Sequence, residues 1–199
     1  MKTFYISIIF CLLIILNSCG PENKKQYVGY TDLEIETEMC IDKMFKTNKV
    51  DWLELKTIFE GYFSDGQISN ENDPIEKQYE DILSYLERPT KRYPIFRDKQ
   101  KVIRIIEKLG IKKNDIFTKT HLNCFTDKYI ENKSIVDITS SFYAFGSSLE
   151  TIRKVPNLSI GVISGAIKMS MKKNDLEKEL YQKTIVLMFC FDMTLFLTD

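Results

Sequence analysis

The stretch IVLMFCFDMTLFL, residues 185–197, decides the fold because its side chains are apolar on every side of a helix. Only Asp192 and Thr194 interrupt the run. A helix that is apolar all round lies either at the centre of a protein core or in lipid. This run is too short to cross a hydrocarbon layer of about 30 Å, and it contains an acid. We therefore predict that it lies at the centre of a helical core.

Helical periodicity recurs on the N-terminal side of this stretch, where apolar residues return every three or four positions. In residues 135–154 this spacing places Ile138, Phe142 and Phe145 on one predicted buried face. No segment shows the sustained alternation of apolar and polar residues that is typical of strands. The predicted class is therefore all-α, an irregular bundle of about seven helices.

Cap signals predict where individual helices begin and end. Asp73 is a predicted N-cap, because a short acidic side chain accepts hydrogen bonds from the free amides of a first helical turn. Asp175 is predicted for the same reason to cap the last helix, residues 176–197. Gly110 is predicted to end a basic helix over residues 98–109, because glycine adopts the left-handed conformation that follows many helices.

Two glycines, Gly161 and Gly165, lie one helical turn apart with Ala166 beside them. Small residues at this spacing let a second helix backbone approach closely. We expect this pattern to mark tight packing between two helices of the core rather than dimerisation in a membrane.

Charge is balanced over the whole chain, with 28 basic and 28 acidic residues, but it is distributed unevenly. Residues 31–87 contain 15 acidic and 5 basic residues, whereas residues 88–113 contain 10 basic and 2 acidic residues. One interpretation is internal pairing between neighbouring helices. The other is an acidic surface for a basic protein partner and a basic surface facing anionic lipid. The overall balance argues against nucleic acid as a partner.

The residues that commonly carry chemistry form no convincing catalytic, metal or cofactor site. His121 is the single histidine and has no second histidine with which to bind zinc. Cys40, Cys124 and Cys190 match no zinc pattern; one disulfide, such as Cys40 to Cys124, can form, and Cys190 lies in an apolar run. We expect no catalytic residue, no metal and no cofactor. The alternative is a pair of carboxylates within residues 31–87 that cleaves peptidoglycan.

The N-terminus carries the most specific motif. Lys2 provides a positive charge, an apolar run follows over residues 4–16, and the sequence Leu16-Asn17-Ser18-Cys19 closes the segment. This arrangement resembles the signal peptide and lipobox of bacterial lipoproteins, although Asn17 departs from the commonest residue at its position.

The lipoprotein resemblance implies a domain organisation. Residues 1–18 would be a cleaved signal peptide, and Cys19 would carry the lipid that attaches the protein to a membrane. Residues 19–31 have the composition of a tether, and residues 32–199 are predicted to form a single helical domain. Gly20, which is not an acid, implies onward transfer to the outer membrane if the bacterium is Gram-negative.

Lipid attachment and the lack of a catalytic constellation together favour one functional hypothesis. We expect a lipid-anchored protein of the bacterial cell envelope that is not an enzyme and that binds a protein partner. One version is an immunity protein, whose acidic helices would cover a basic toxin. The alternative is an envelope hydrolase that acts on peptidoglycan through paired carboxylates.

Overall fold

A computed structural model of the protein describes residues 30–88, 99–110, 123–155 and 158–197, with the backbone alone for residues 99, 102 and 190–197. Those residues contain eight α-helices, one short 3-10 helix and no β-strand. The α-helices are α1 (Asp32–Thr47), α2 (Trp52–Asp65), α3 (Ile75–Glu87), α4 (Lys99–Lys108), α5 (Asn123–Asn132), α6 (Ser141–Lys154), α7 (Ile160–Ser170) and α8 (Glu179–Leu197). The predicted all-α bundle is confirmed.

Helix α8 lies at the centre of the bundle, as its apolar sequence predicts. It contacts α1, α2 and α4, and every side chain from residue 180 to residue 189 is buried. The side chains of Cys190, Asp192 and Thr194 lie outside the described part of the structure. Among the helices that are described, none combines the length and the apolar character that a membrane span requires.

Aromatic rings join α8 to α5 and α6. The ring of Phe125 on α5 packs against Phe142 and Phe145 of α6, with centroids 4.7 Å and 5.0 Å away. Phe145 in turn lies 5.6 Å from the ring of Tyr181 on α8. Aromatic pairs at such distances add to the free energy gained from burying their surface. The predicted buried face of α6 is confirmed at Phe142 and Phe145.

The start of α6 differs from the prediction. The helix begins at Ser141 rather than at residue 135, because the side chain of Ser140 accepts a hydrogen bond from the Tyr143 amide and acts as N-cap. The carboxylate of Asp137 accepts a hydrogen bond from the Thr139 amide and stabilises the preceding turn. Ile138 is consequently 71% exposed and does not belong to the buried face.

Two predicted acidic caps are also wrong. Pro74 occupies the N-cap of α3 and makes no side-chain cap, while the Asp73 carboxylate lies 3.7 Å from the Lys77 ammonium. Asp175 lies inside the 3-10 helix Lys173–Glu177, and α8 begins only at Glu179. The Asp175 carboxylate accepts a hydrogen bond from the Ser141 hydroxyl, so a tertiary contact replaces the cap.

Other predicted features agree with the structure. Gly110 follows α4 with a φ of +69°, the left-handed conformation that ends many helices. Gly161 and Gly165 of α7 face α3: a Cβ atom on Gly161 would lie 3.0 Å from the Glu87 carbonyl oxygen, and one on Gly165 3.3 Å from its carboxylate. The buried Ser164 hydroxyl donates to the Leu83 carbonyl oxygen at 2.7 Å. Small residues therefore bring α3 and α7 close together.

Gly146 of α6 tests how tightly the bundle is packed. A Cβ atom at this position would lie 2.5 Å from Cγ of Tyr129, so we expect Gly146→Ala to lower the free energy of unfolding by about 1 to 3 kcal/mol. Gly61 of α2 is the matched control, because a Cβ atom there meets nothing within 4 Å. Gly61→Ala should raise the free energy of unfolding by about 0.5 to 1 kcal/mol, because alanine has a higher helix propensity than glycine. Urea unfolding measures both; equal effects would contradict the packing.

Candidate functional site

A row of carboxylates runs along α1 at four-residue spacing: Glu34, Glu38 and Asp42. Residues four apart lie on the same face of a helix. Glu34 and Glu38 are buried, and Asp42 is partly exposed. The basic side chains that meet these acids come from the start of α8 and the residue before it.

The ammonium of Lys183 is buried among acids. Its Nζ atom donates to Glu38 at 2.9 Å and to Asp42, and it lies 3.3 Å from the Glu179 carboxylate. The Trp52 ring lies 5.7 Å from the same Nζ atom, a distance at which the ring face attracts a cation. Removing one member of a buried ion pair leaves an uncompensated charge in the core.

Glu34 forms the second part of the network. It accepts hydrogen bonds from Lys178 Nζ at 2.9 Å and from the Tyr181 hydroxyl at 2.7 Å. Its other oxygen accepts from the Thr31 amide at 2.7 Å, completing a capping box at the start of α1. Burial alone would lower the pKa of Lys178, but its hydrogen bonds to Glu34 and Asp175 outweigh that effect and raise it. The ammonium is therefore held in its charged form.

This network does not have the character of a hydrolytic pair. Hydrolysis by two carboxylates needs one acid that stays protonated and one that is free to act as base or nucleophile. Glu34, Glu38 and Asp42 are each bonded to a lysine, so they serve to hold α1 against α8. The structure thus brings together three acids of residues 31–87, but each is paired with a lysine rather than with a second carboxylate.

Glu60, an acid that no sequence pattern singled out, has a perturbed environment. Burial raises the pKa of Glu60 on α2, and the nearby Lys56 ammonium, 3.7 Å away, opposes the effect. Lys56 also donates to the Gln182 amide oxygen of α8 at 2.9 Å. The burial of Glu60 depends on how α2 packs, which no local pattern reveals.

Cys40 and Cys124 form a disulfide, the pairing that their positions allowed. The bond joins α1 to α5, whose Cα atoms at these positions are 5.6 Å apart, and it encloses a loop with a sequence separation of 84. A loop of that length corresponds to about 4 to 5 kcal/mol of stabilisation in the chain-entropy description. The same two helices are linked by the ion pair between Glu36 and Lys128 at 2.7 Å.

The acids of residues 51–81, here called the acidic segment, differ from those of α1. The segment contains nine acidic residues and two lysines. Both lysines are already paired inside it, Lys56 with Glu60 and Lys77 with Asp81. Four exposed acids have no ion pair within the described part of the chain. They are Asp51, Glu54, Glu71 and Glu80.

An open groove of about 710 Å³ lies where the end of α3 meets α7. Val162 and Met169 of α7 line it and are 56% and 86% exposed. Glu87 and Arg88 form part of the opposite wall. The groove is the second surface, besides the acidic segment, that offers contacts to a partner.

Comparisons with known proteins add no relative: no family model, no curated protein and no solved structure matches the chain.

Two residues considered in the sequence lie outside the described part, namely Cys19, the predicted lipid site, and His121. Among the residues that are described, no three His, Cys, Asp or Glu side chains are grouped to hold a metal ion.

Lys183 provides a test of the buried network. Lys183→Met removes the buried ammonium that compensates the charge of Glu38, so we expect the free energy of unfolding to fall by about 3 to 5 kcal/mol. Lys128→Met is the matched control, because its ion pair with Glu36 is exposed to solvent and should contribute little. Chemical denaturation of both variants measures the difference. A small effect at Lys183 would contradict the assignment of the network as structural.

Proposed function

We propose that the protein is a lipid-anchored, non-catalytic module of the bacterial cell envelope that binds a basic protein partner through its acidic segment. One observation carries this proposal: the acids of residues 31–87 are used in two different ways. Glu34 and Glu38 of α1 are bonded to lysines inside the bundle, whereas Asp51, Glu54, Glu71 and Glu80 face solvent without a described ion pair.

Unpaired surface acids affect both the stability of the folded chain and its association with other proteins. Like charges repel one another and lower the stability of the folded chain. A concentration of one sign also attracts a partner of the opposite sign and raises the rate of association. The acidic segment, with nine acids and two lysines that are already paired, has the composition of such a surface.

The envelope location is supported by two features that are independent of the acidic segment. The first is the lipobox-like sequence Leu16-Asn17-Ser18-Cys19 at the end of an apolar run. The second is the disulfide between Cys40 and Cys124, because disulfides persist in oxidising compartments and are rare in reducing ones. An immunity protein directed against a basic toxin is the specific version of this role that the charge and the compartment favour.

Lipid attachment is tested at Cys19. We expect Cys19→Ala to abolish metabolic labelling by a palmitate analogue and to change the membrane association of the protein, because the thiol that would carry the lipid is gone. Cys40→Ser is a suitable control, since that residue belongs to the disulfide and its loss should leave labelling intact. Labelling that survives in the Cys19 variant would contradict the anchor.

Partner binding is tested by comparing two triple charge-reversal variants that change the net charge of the protein by the same amount. The wild-type protein should recover a stoichiometric basic partner from envelope extract, and recovery should weaken as salt screens the charges. Glu54→Lys, Glu71→Lys and Glu80→Lys together should abolish recovery. The matched triple variant carries Glu107→Lys, Glu131→Lys and Glu177→Lys, which are exposed acids outside the segment and change the net charge equally.

Two outcomes would contradict the binding role. The first is loss of the partner in both triple variants, which would mean that the net charge rather than the acidic segment governs recovery. The second is turnover of purified peptidoglycan that disappears in Glu60→Gln, because it would assign a catalytic role to the one acid whose pKa burial raises.

A further inference from the structure

The outer face of α7 carries apolar side chains that the bundle does not cover. Val162 and Met169 are seven residues apart, which is two helical turns, so they lie on the same side of the helix. Both line the groove beside α3. Exposed apolar side chains that share one face of a helix can mark a surface that binds a protein, a membrane or a ligand.

The chain around this face is basic. Residues 151–174 contain five basic residues and no acid. Lys172 and Lys173 lie three and four residues beyond Met169 and are exposed, and Arg88 lines the groove. None of the three has an ion pair in the regions that are described. Glu87, the acid among the described residues that line the groove, lies 3.5 Å from the ammonium of Lys168 and is thus partly neutralised.

We propose that a docking face, formed by Val162, Met169 and Arg88 and flanked along the chain by Lys172 and Lys173, binds the surface of an anionic phospholipid bilayer. Apolar side chains flanked by lysines and arginines suit the boundary between headgroups and acyl chains. The basic side chains pair with lipid phosphates, while Val162 and Met169 enter the boundary layer. The charge of the face favours an anionic lipid over a neutral one.

This inference rests on the proposed envelope location, where the domain lies beside a bilayer, but it does not need the lipid on Cys19. It adds an orientation to the proposed function. With the docking face on the bilayer, Val162 and Met169 lie in lipid and the domain is held by contacts besides any covalent anchor.

The test compares tryptophan quenching at two positions, each probed in its own variant of the protein. The full mature chain, purified with its own N-terminus, is reconstituted into vesicles of phosphatidylglycerol and phosphatidylethanolamine that carry brominated acyl chains, which quench tryptophan. Met169→Trp places a probe on the docking face, and Leu53→Trp places the control probe at a residue that is 66% exposed on α2. Trp52 contributes the same background to both variants.

We expect the bromolipids to quench the probe at position 169 and to leave the probe at position 53 unquenched. Lys172→Glu with Lys173→Glu should reduce the ratio of docked to undocked protein by at least about fivefold per charge at low salt. Lys43→Glu with Lys46→Glu, two exposed lysines of α1, is the matched charge control and should leave quenching unchanged. Vesicles of phosphatidylcholine alone should not support quenching.

Several results would overturn the proposal. Equal quenching of the two probes would mean that the face has no preference for the bilayer. Equal quenching in neutral and anionic vesicles would remove the role of charge. A probe at position 169 that responds only when an envelope protein is added would assign the face to a protein instead. Both single-probe variants keep Cys19 and are read under the same conditions, so these results are independent of the labelling test on Cys19.

Discussion

The buried ammonium of Lys183 is the constraint on which the rest of the structure depends. It lies buried near the start of the central helix α8, where an unpaired charge would be very unfavourable, and it is accommodated because Glu38, Asp42 and Glu179 surround it. An apolar helix could slide or rotate against its neighbours at modest cost. The ion pairs fix its position, because only one register of α1 against α8 brings Glu34 to Lys178 and Glu38 to Lys183 together.

The same constraint divides the acids of the chain into two groups. Carboxylates that face α8 are needed to neutralise its lysines, and they are therefore unavailable to a partner. Asp51 caps the start of α2 by accepting hydrogen bonds from the amides of Leu53 and Glu54. Glu54, Glu71 and Glu80 make no ion pair in the described part of the chain, and the lysines of the acidic segment are already paired. The charge of the surface thus depends on which acids are paired with lysines in the core.

The sequence was sufficient for features that depend on local chemistry. The all-round apolar character of residues 185–197 indicated the central helix, Gly110 indicated a helix end, and the two glycines of α7 indicated a close contact. Features that depend on distant residues were not accessible. The partners of Lys183 on α1 are more than a hundred positions away, and Asp175 binds Ser141 instead of capping α8. Glu60 has an altered pKa only because of how α2 packs.

The disulfide between Cys40 and Cys124 has a consequence for the order in which the chain can fold. Of the described helices, α1 is synthesised first. The helices that hold it, α5 through the disulfide and α8 through the ion pairs, are synthesised later. During synthesis the carboxylates of Glu34 and Glu38 remain hydrated until Lys178 and Lys183 have been made. A chain that ends before residue 178 would lack both lysines, so the ion pairs that hold α1 against α8 could not form.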